Sequence, residues 1–182
     1  MKKRNMILGS AVLLAVLLVA GGTMAWFTAE AEPVVNSFKA GTVNIEIKDT
    51  FNTEEAQNVN PGDKYDKEVS VKNVGSKRAY IRVKLTALFD GEQATDVVTY
   101  PILANWLLHT DGWYYYKNIL QPGAETSKII EEVLFAGAAM NNDYQGAKFT
   151  LTVVAEAIQA TNGAINDQWS VDPVTLGLEV LP

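Results

Sequence analysis

From position 42 onward apolar and polar residues alternate one for one, the pattern of strands that bury one face and wet the other. Val43, Ile45 and Ile47 fall on one face of residues 42–48, and Asn44, Glu46 and Lys48 on the other, as the two-residue period of an extended chain requires. Asn60, Pro61, Gly62 and Asp63 then interrupt the pattern. Pro presets its own backbone angle and Gly accepts a positive one, so the four predict a turn. Val69 and Val71 resume the alternation toward Asn73, and Asn73, Val74, Gly75 and Ser76 signal a second turn. The cleanest run follows, with Ala79, Ile81, Val83, Leu85 and Ala87 alternating with Tyr80, Arg82, Lys84 and Thr86. In the last strong run, 148–159, Phe149, Leu151, Val153, Ala155 and Ala157 share one face, and Asn162 and Gly163 end it.

Residues 90–143 read as an irregular insert between strands. They hold Pro101, an apolar cluster around Trp106, and an Asp111-Gly112 pair of the kind that closes hairpins. Gln121, Pro122, Gly123 and Ala124 repeat the turn chemistry of Asn60 and precede a β-rich stretch at 128–135. Residues 164–182 read either as an edge strand, because Leu176, Leu178 and Val180 alternate, or as a loose tail. Helical periodicity is scarce. Several strands spaced by Pro, Gly and Asn turns predict an all-β fold, a two-layer antiparallel sandwich of jelly-roll type.

The first 25 residues have a different character. Lys2, Lys3 and Arg4 precede an apolar span at 6–20, and small residues follow through Thr23 and Ala25. That order is the one of a helical signal peptide, with small side chains at the third and first positions before a cut between Ala25 and Trp26. The competing reading is a retained anchor running from Met6 to Phe27, about the length that crosses a bilayer. The expected division is therefore a signal peptide at 1–25, a freed segment at 26–41, a sandwich at 42–163 and the C-terminal stretch at 164–182.

Charge and composition narrow the chemistry. Loss of the leader leaves 12 basic against 21 acidic residues, moving the net charge from −6 to −9. Such a surface repels phosphate backbones and carries no clustered Lys and Arg, so nucleic acid is not an expected partner. The absence of cysteine rules out disulfides and zinc-thiolate sites. His109 is the single histidine, whereas a zinc protease needs paired ones, and it reads as a loop or packing residue. Glu54 with Glu55, and Glu131 with Glu132, are sequential neighbours that point to opposite sides of a strand and read as solvated. Asn141, Asn142 and Asp143 offer oxygen donors but lack the spacing of a calcium loop, and read as a turn. Trp113, Tyr114, Tyr115 and Tyr116 could stack on sugars, but consecutive strand aromatics alternate between core and surface. No catalytic, cofactor-binding or metal site is expected.

The junction Gly21-Gly22-Thr23-Met24-Ala25-Trp26-Phe27-Thr28, followed by Asn36-Ser37-Phe38-Lys39-Ala40-Gly41-Thr42-Val43, resembles the camelysin and TasA family of exported bacterial proteins. The Asn60 turn, the Asn73-Val74-Gly75-Ser76 lead into Ala79-Tyr80-Ile81-Arg82-Val83-Lys84, and the closing Ala155-Glu156-Ala157-Ile158-Gln159-Ala160 match as well. The resemblance implies a leader cut by a SipW-type signal peptidase. It also implies a secreted jelly-roll subunit of Gram-positive biofilm matrix or cell-surface fibres, whose N-terminal segment completes the sheet of the next subunit. In this chain the segment holds Phe27, Val34, Val35 and Phe38, and Pro33 limits its pairing on one side. Folding back onto its own domain is the alternative use of that segment. Membership also brings two other readings, a camelysin-like metalloprotease and an accessory or anchor for fibres built from other matrix proteins. Mass measurement of the exported protein is expected to give a chain beginning at Trp26, and a chain still carrying residues 1–25 would instead identify an anchored protein.

Overall fold

The structure, a computed structural model, describes residues 42–51, 60–90, 94–140, 144 and 147–182. The leader, the 26–41 segment, Glu54, Glu55, Asn141, Asn142 and Asp143 lie outside the described residues. Eight strands follow in order: β1 (Ile45–Phe51), β2 (Lys64–Asn73), β3 (Ala79–Phe89), β4 (Val98–Thr99), β5 (Trp106–Leu108), β6 (Tyr114–Tyr116), β7 (Ile130–Phe135) and β8 (Phe149–Gln159). Two short helices close the chain, α1 (Ala164–Trp169) and α2 (Pro173–Leu176).

The strands form two antiparallel sheets, ordered β1-β2-β7-β4 and β5-β6-β3-β8. The all-β sandwich expected from alternation is the fold. Its core is the set of inward positions that alternation picks out: Val69 and Val71 of β2, Ile81 and Val83 of β3, and Ile130 of β7 are wholly buried. Trp106 and Tyr116 pack into the same cluster. Burying each such aliphatic side chain stabilises the fold by about 1.5–3 kcal/mol. The longest ladder joins β3 to β8 in unbroken register, from Ala79 opposite Gln159 to Phe89 opposite Phe149.

The segment expected as an irregular insert contributes β4, β5 and β6, and the β-rich stretch expected at 128–135 is β7. Strands of two or three residues are too short to display an alternation, so only their turns were visible. Asp111 and Gly112 do lie in the β5-β6 hairpin loop, where Gly112 adopts φ +79°. Tyr114 and Tyr116 face the core while Tyr115 faces outward, as alternation requires.

Residues 164–182 form neither an edge strand nor a loose tail. Asp172 accepts hydrogen bonds from the Val174 N–H and the Thr175 hydroxyl at 3.0 and 2.8 Å, and Pro173 occupies the first turn of α2. A capped start with proline favours a helix over an extended strand. Ile165, Val171 and Leu178 then pack on the outer face of the second sheet against Tyr80, Tyr115 and Ile158. The Tyr80 hydroxyl donates to the Glu179 carbonyl at 2.9 Å, and the Ile119 N–H to the Glu179 carboxylate at 2.7 Å.

The strand order departs from a closed jelly roll at two places. β2-β7-β4 and β8-β3-β6 follow that pattern, in which β1 pairs with β8 and β5 with β4. Here β1 pairs with β2, and β5 with β6. The loop between β2 and β3 explains the first departure. Asn73 is fully buried, and its amide donates to the Lys77 and Leu120 carbonyls at 2.8 and 3.1 Å while its oxygen accepts from Gly75 N–H at 3.0 Å. The loop so shaped binds the chain just before β1, since Val74 and Gly75 N–H both donate to the Asn44 carbonyl and Ser76 N–H donates to that of Thr42. A β-carbon on Gly75 would collide with the Thr42 carbonyl and stand 2.7 Å from the Asn44 nitrogen. Glycine is required there by close approach of backbone. Asn73→Ala removes three hydrogen bonds that shape the loop from a fully buried position, and is expected to cost about 1–3 kcal/mol in urea unfolding, with Gly75→Ala lowering the midpoint in the same experiment; an unchanged midpoint for both would refute this role.

Candidate functional site

A sandwich with two open sheets has four edges, and they differ sharply. β4 has two residues and β5 three, too few to template a neighbour. β1 has seven. β8 has eleven, Phe149–Gln159, and Glu156 is its single charge. Among the described residues β8 pairs on one side only, with β3. Its other side presents alternate N–H and C=O groups, and a long edge with a single charge is a template for an added strand.

The edge also opens onto the core. Leu151, Val153, Ala155 and Ala157 are only partly buried although they pack against the central cluster. Between the end of β8 and the start of β1 lies a cleft of about 350 Å³, lined by Val43 and Ile45 on one side and Ala155 and Ala157 on the other. It occupies the position where β1 and β8 would pair in a closed jelly roll.

Gln168 and Trp169 of α1 form the wall at one end of the cleft. Trp169 is held by an outward cluster centred on Arg82. The Arg82 guanidinium lies 4.3 Å from the Trp169 ring centre and 4.4 Å from that of Trp113, a double cation-π stack. Its nitrogens donate to Glu156, directly opposite on β8, at 2.7 and 3.0 Å, and to the Tyr115 hydroxyl at 3.0 Å. Tyr115 in turn donates to Asp111 at 2.7 Å. Burial raises the Asp111 carboxyl, but hydrogen bonds from the Tyr115 hydroxyl and the Trp113 N–H outweigh it and hold the carboxyl below its ordinary value. Neither Trp113 nor Trp169 was distinguishable in the sequence as a partner of Arg82, because the three come from separate elements.

The remaining sequence candidates stay apart. His109 sits in the β5-β6 loop, its Nδ1 3.1 Å from Asp111 without hydrogen-bond geometry, so the contact is Coulombic and acts only when the imidazole is protonated. Glu131 pairs with Lys128 and Glu132 with Lys64 on the surface.

An open-edged all-β sandwich is thus the class of protein that fold and site define. The family model described as camelysin metallo-endopeptidase matches residues 1–97, more than half of the chain. The chain belongs to that family, which includes TasA-like proteins. No curated protein matches it. The family description implies a metal; a catalytic zinc takes three protein ligands, whereas among the described residues no three of His, Asp and Glu converge. The residues around His109 do not fit such a site, since one Asp111 oxygen is taken by Tyr115 and no third ligand joins them.

Burial raises the Tyr115 phenol to about 12, Asp111 adding to the rise and Arg82 opposing it. An unfolded phenol ionises near pH ~10, so the native state keeps a proton that the unfolded chain loses. This contribution to stability is complete below that value and falls as pH rises toward 12. Difference spectroscopy of wild type against Tyr115→Phe is expected to isolate one phenol ionising at about 12, and ionisation at the ordinary value would show that the C-terminal segment does not enclose it.

Proposed function

We propose that this protein is an exported structural subunit of a bacterial extracellular matrix or cell surface, assembling by strand addition. Residues 26–41 of one copy, with Phe27, Val34, Val35 and Phe38, add to β8 of the next. The observation that carries the reading is the side of β8 that has no partner among the described residues, beside the cleft, the position that a jelly roll fills with its first strand. Backbone pairing along such an edge supplies affinity and alternate side chains supply register. Pro33 lacks an N–H and therefore faces away from β8. A head-to-tail contact that does not close propagates as a filament.

Membership of the camelysin family supports the leader and its removal by a SipW-type peptidase, which frees the segment. Other matrix proteins are further partners in this reading. The expected outcome in negative-stain microscopy is filaments from protein beginning at Trp26, and none from the uncleaved chain or from a variant lacking residues 26–38. Unchanged filaments from that truncated variant would rule out strand addition by this segment.

A further inference from the structure

We infer that the sandwich accepts a strand at β8 alone because a charge pair on the inner side of β1 closes the other long edge. This rests on the strand-addition reading and specifies which partner contacts it permits. Asp49 stands directly opposite Val69, a wholly buried core residue. Cross-strand neighbours share a face, so the Asp49 carboxylate points between the sheets, in frame with Ile45 and Ile47. Lys67, in frame with Val69 and Val71, is 6% exposed. Its ammonium contacts both Asp49 oxygens, at 2.7 and 2.8 Å.

The Asp49 side chain retains 36% of its exposure. A strand laid on the free side of β1 would remove that water from a carboxylate facing an apolar interior, and desolvation of such a pair exceeds its mutual attraction. The outer face of β1 adds a second obstacle, the exposed Glu46–Lys48 pair. Inward charge on an edge strand is a recognised barrier to edge-to-edge pairing. β8 has no counterpart. Its inward residues are Phe149, Leu151, Val153, Ala155 and Ala157, and Glu156, its single charge, is already engaged by Arg82. With β4 and β5 too short, each domain takes one strand. One accepted strand and one donated strand per copy produce an unbranched chain of domains, whereas two acceptors would branch it.

The test titrates the variant lacking residues 26–38, otherwise wild type or carrying the substitutions below and in this reading unassembled with β8 open, with a synthetic peptide of residues 26–41, and reads stoichiometry by calorimetry, with sedimentation as a second measurement. Wild type is expected to bind one peptide, Val153→Lys none, and Asp49→Val with Lys67→Met two. The double variant is also expected to self-associate in sedimentation even when Val153→Lys is added, because β1 is then the sticking edge. Asp49→Asn with Lys67→Gln keeps similar shapes without charge and serves where the apolar pair does not fold; it too should gain a second peptide. A folded uncharged variant that binds a single peptide and stays monomeric would overturn the inference. Wild type binding no peptide would instead overturn strand addition, while self-association of the uncharged variant would still report on β1.

Discussion

The buried amide of Asn73 is the constraint on which the architecture turns. A polar side chain wholly removed from water must find partners for its donors and acceptor or lose stability. Asn73 finds them in two segments, the Gly75 N–H and the Lys77 carbonyl of its own loop and the Leu120 carbonyl far along the chain. The loop that carries the chain from one sheet to the other thereby takes one shape. That shape presents three N–H groups to the carbonyls of Thr42 and Asn44, and the absence of a side chain at Gly75 lets the two backbones meet. The entry to β1 is fixed on the side of β2, away from β8.

The open edge follows from that placement. With β1 committed to β2, nothing among the described residues covers the outer side of β8, and the cleft between them is lined by Val43, Ile45, Ala155 and Ala157 together with the polar Asn44, Glu156 and Gln168. In a domain without cysteine, an unfilled strand position is both a cost in exposed backbone and an opportunity for a second chain. The charge distribution along the two long edges gives that opportunity a direction, since Asp49 and Lys67 place ions where β8 has Phe149, Leu151 and Val153.

The C-terminal residues complete the second sheet from outside. Two short helical turns and a final extended stretch cover Tyr80, Tyr115 and Ile158, and the stacking of Trp169 and Trp113 on Arg82 ties this cover to the β8 end of the sheet. The arrangement turns an outward tyrosine into a core residue. It also explains why the end of β8 is walled while its beginning is not.

The sequence by itself determined the all-β class, the long strands and the turns, because a two-residue period and Pro-Gly chemistry are local properties. It also carried the family resemblance, in the leader junction and the first strands, within the matched residues 1–97. Asp49 and Lys67 were legible too, as charges falling on the apolar phase of β1 and β2, had the alternation been followed past Ile47. What only the tertiary structure decided was pairing. Which strand lies beside β8, which tryptophans enclose Arg82, and whether residues 164–182 extend or coil depend on contacts between segments far apart in the chain. Alternation specifies which face of a strand is buried, but every strand in the sandwich shares that rule, so it leaves the neighbour unspecified; here a buried asparagine and a glycine at a close crossing chose it.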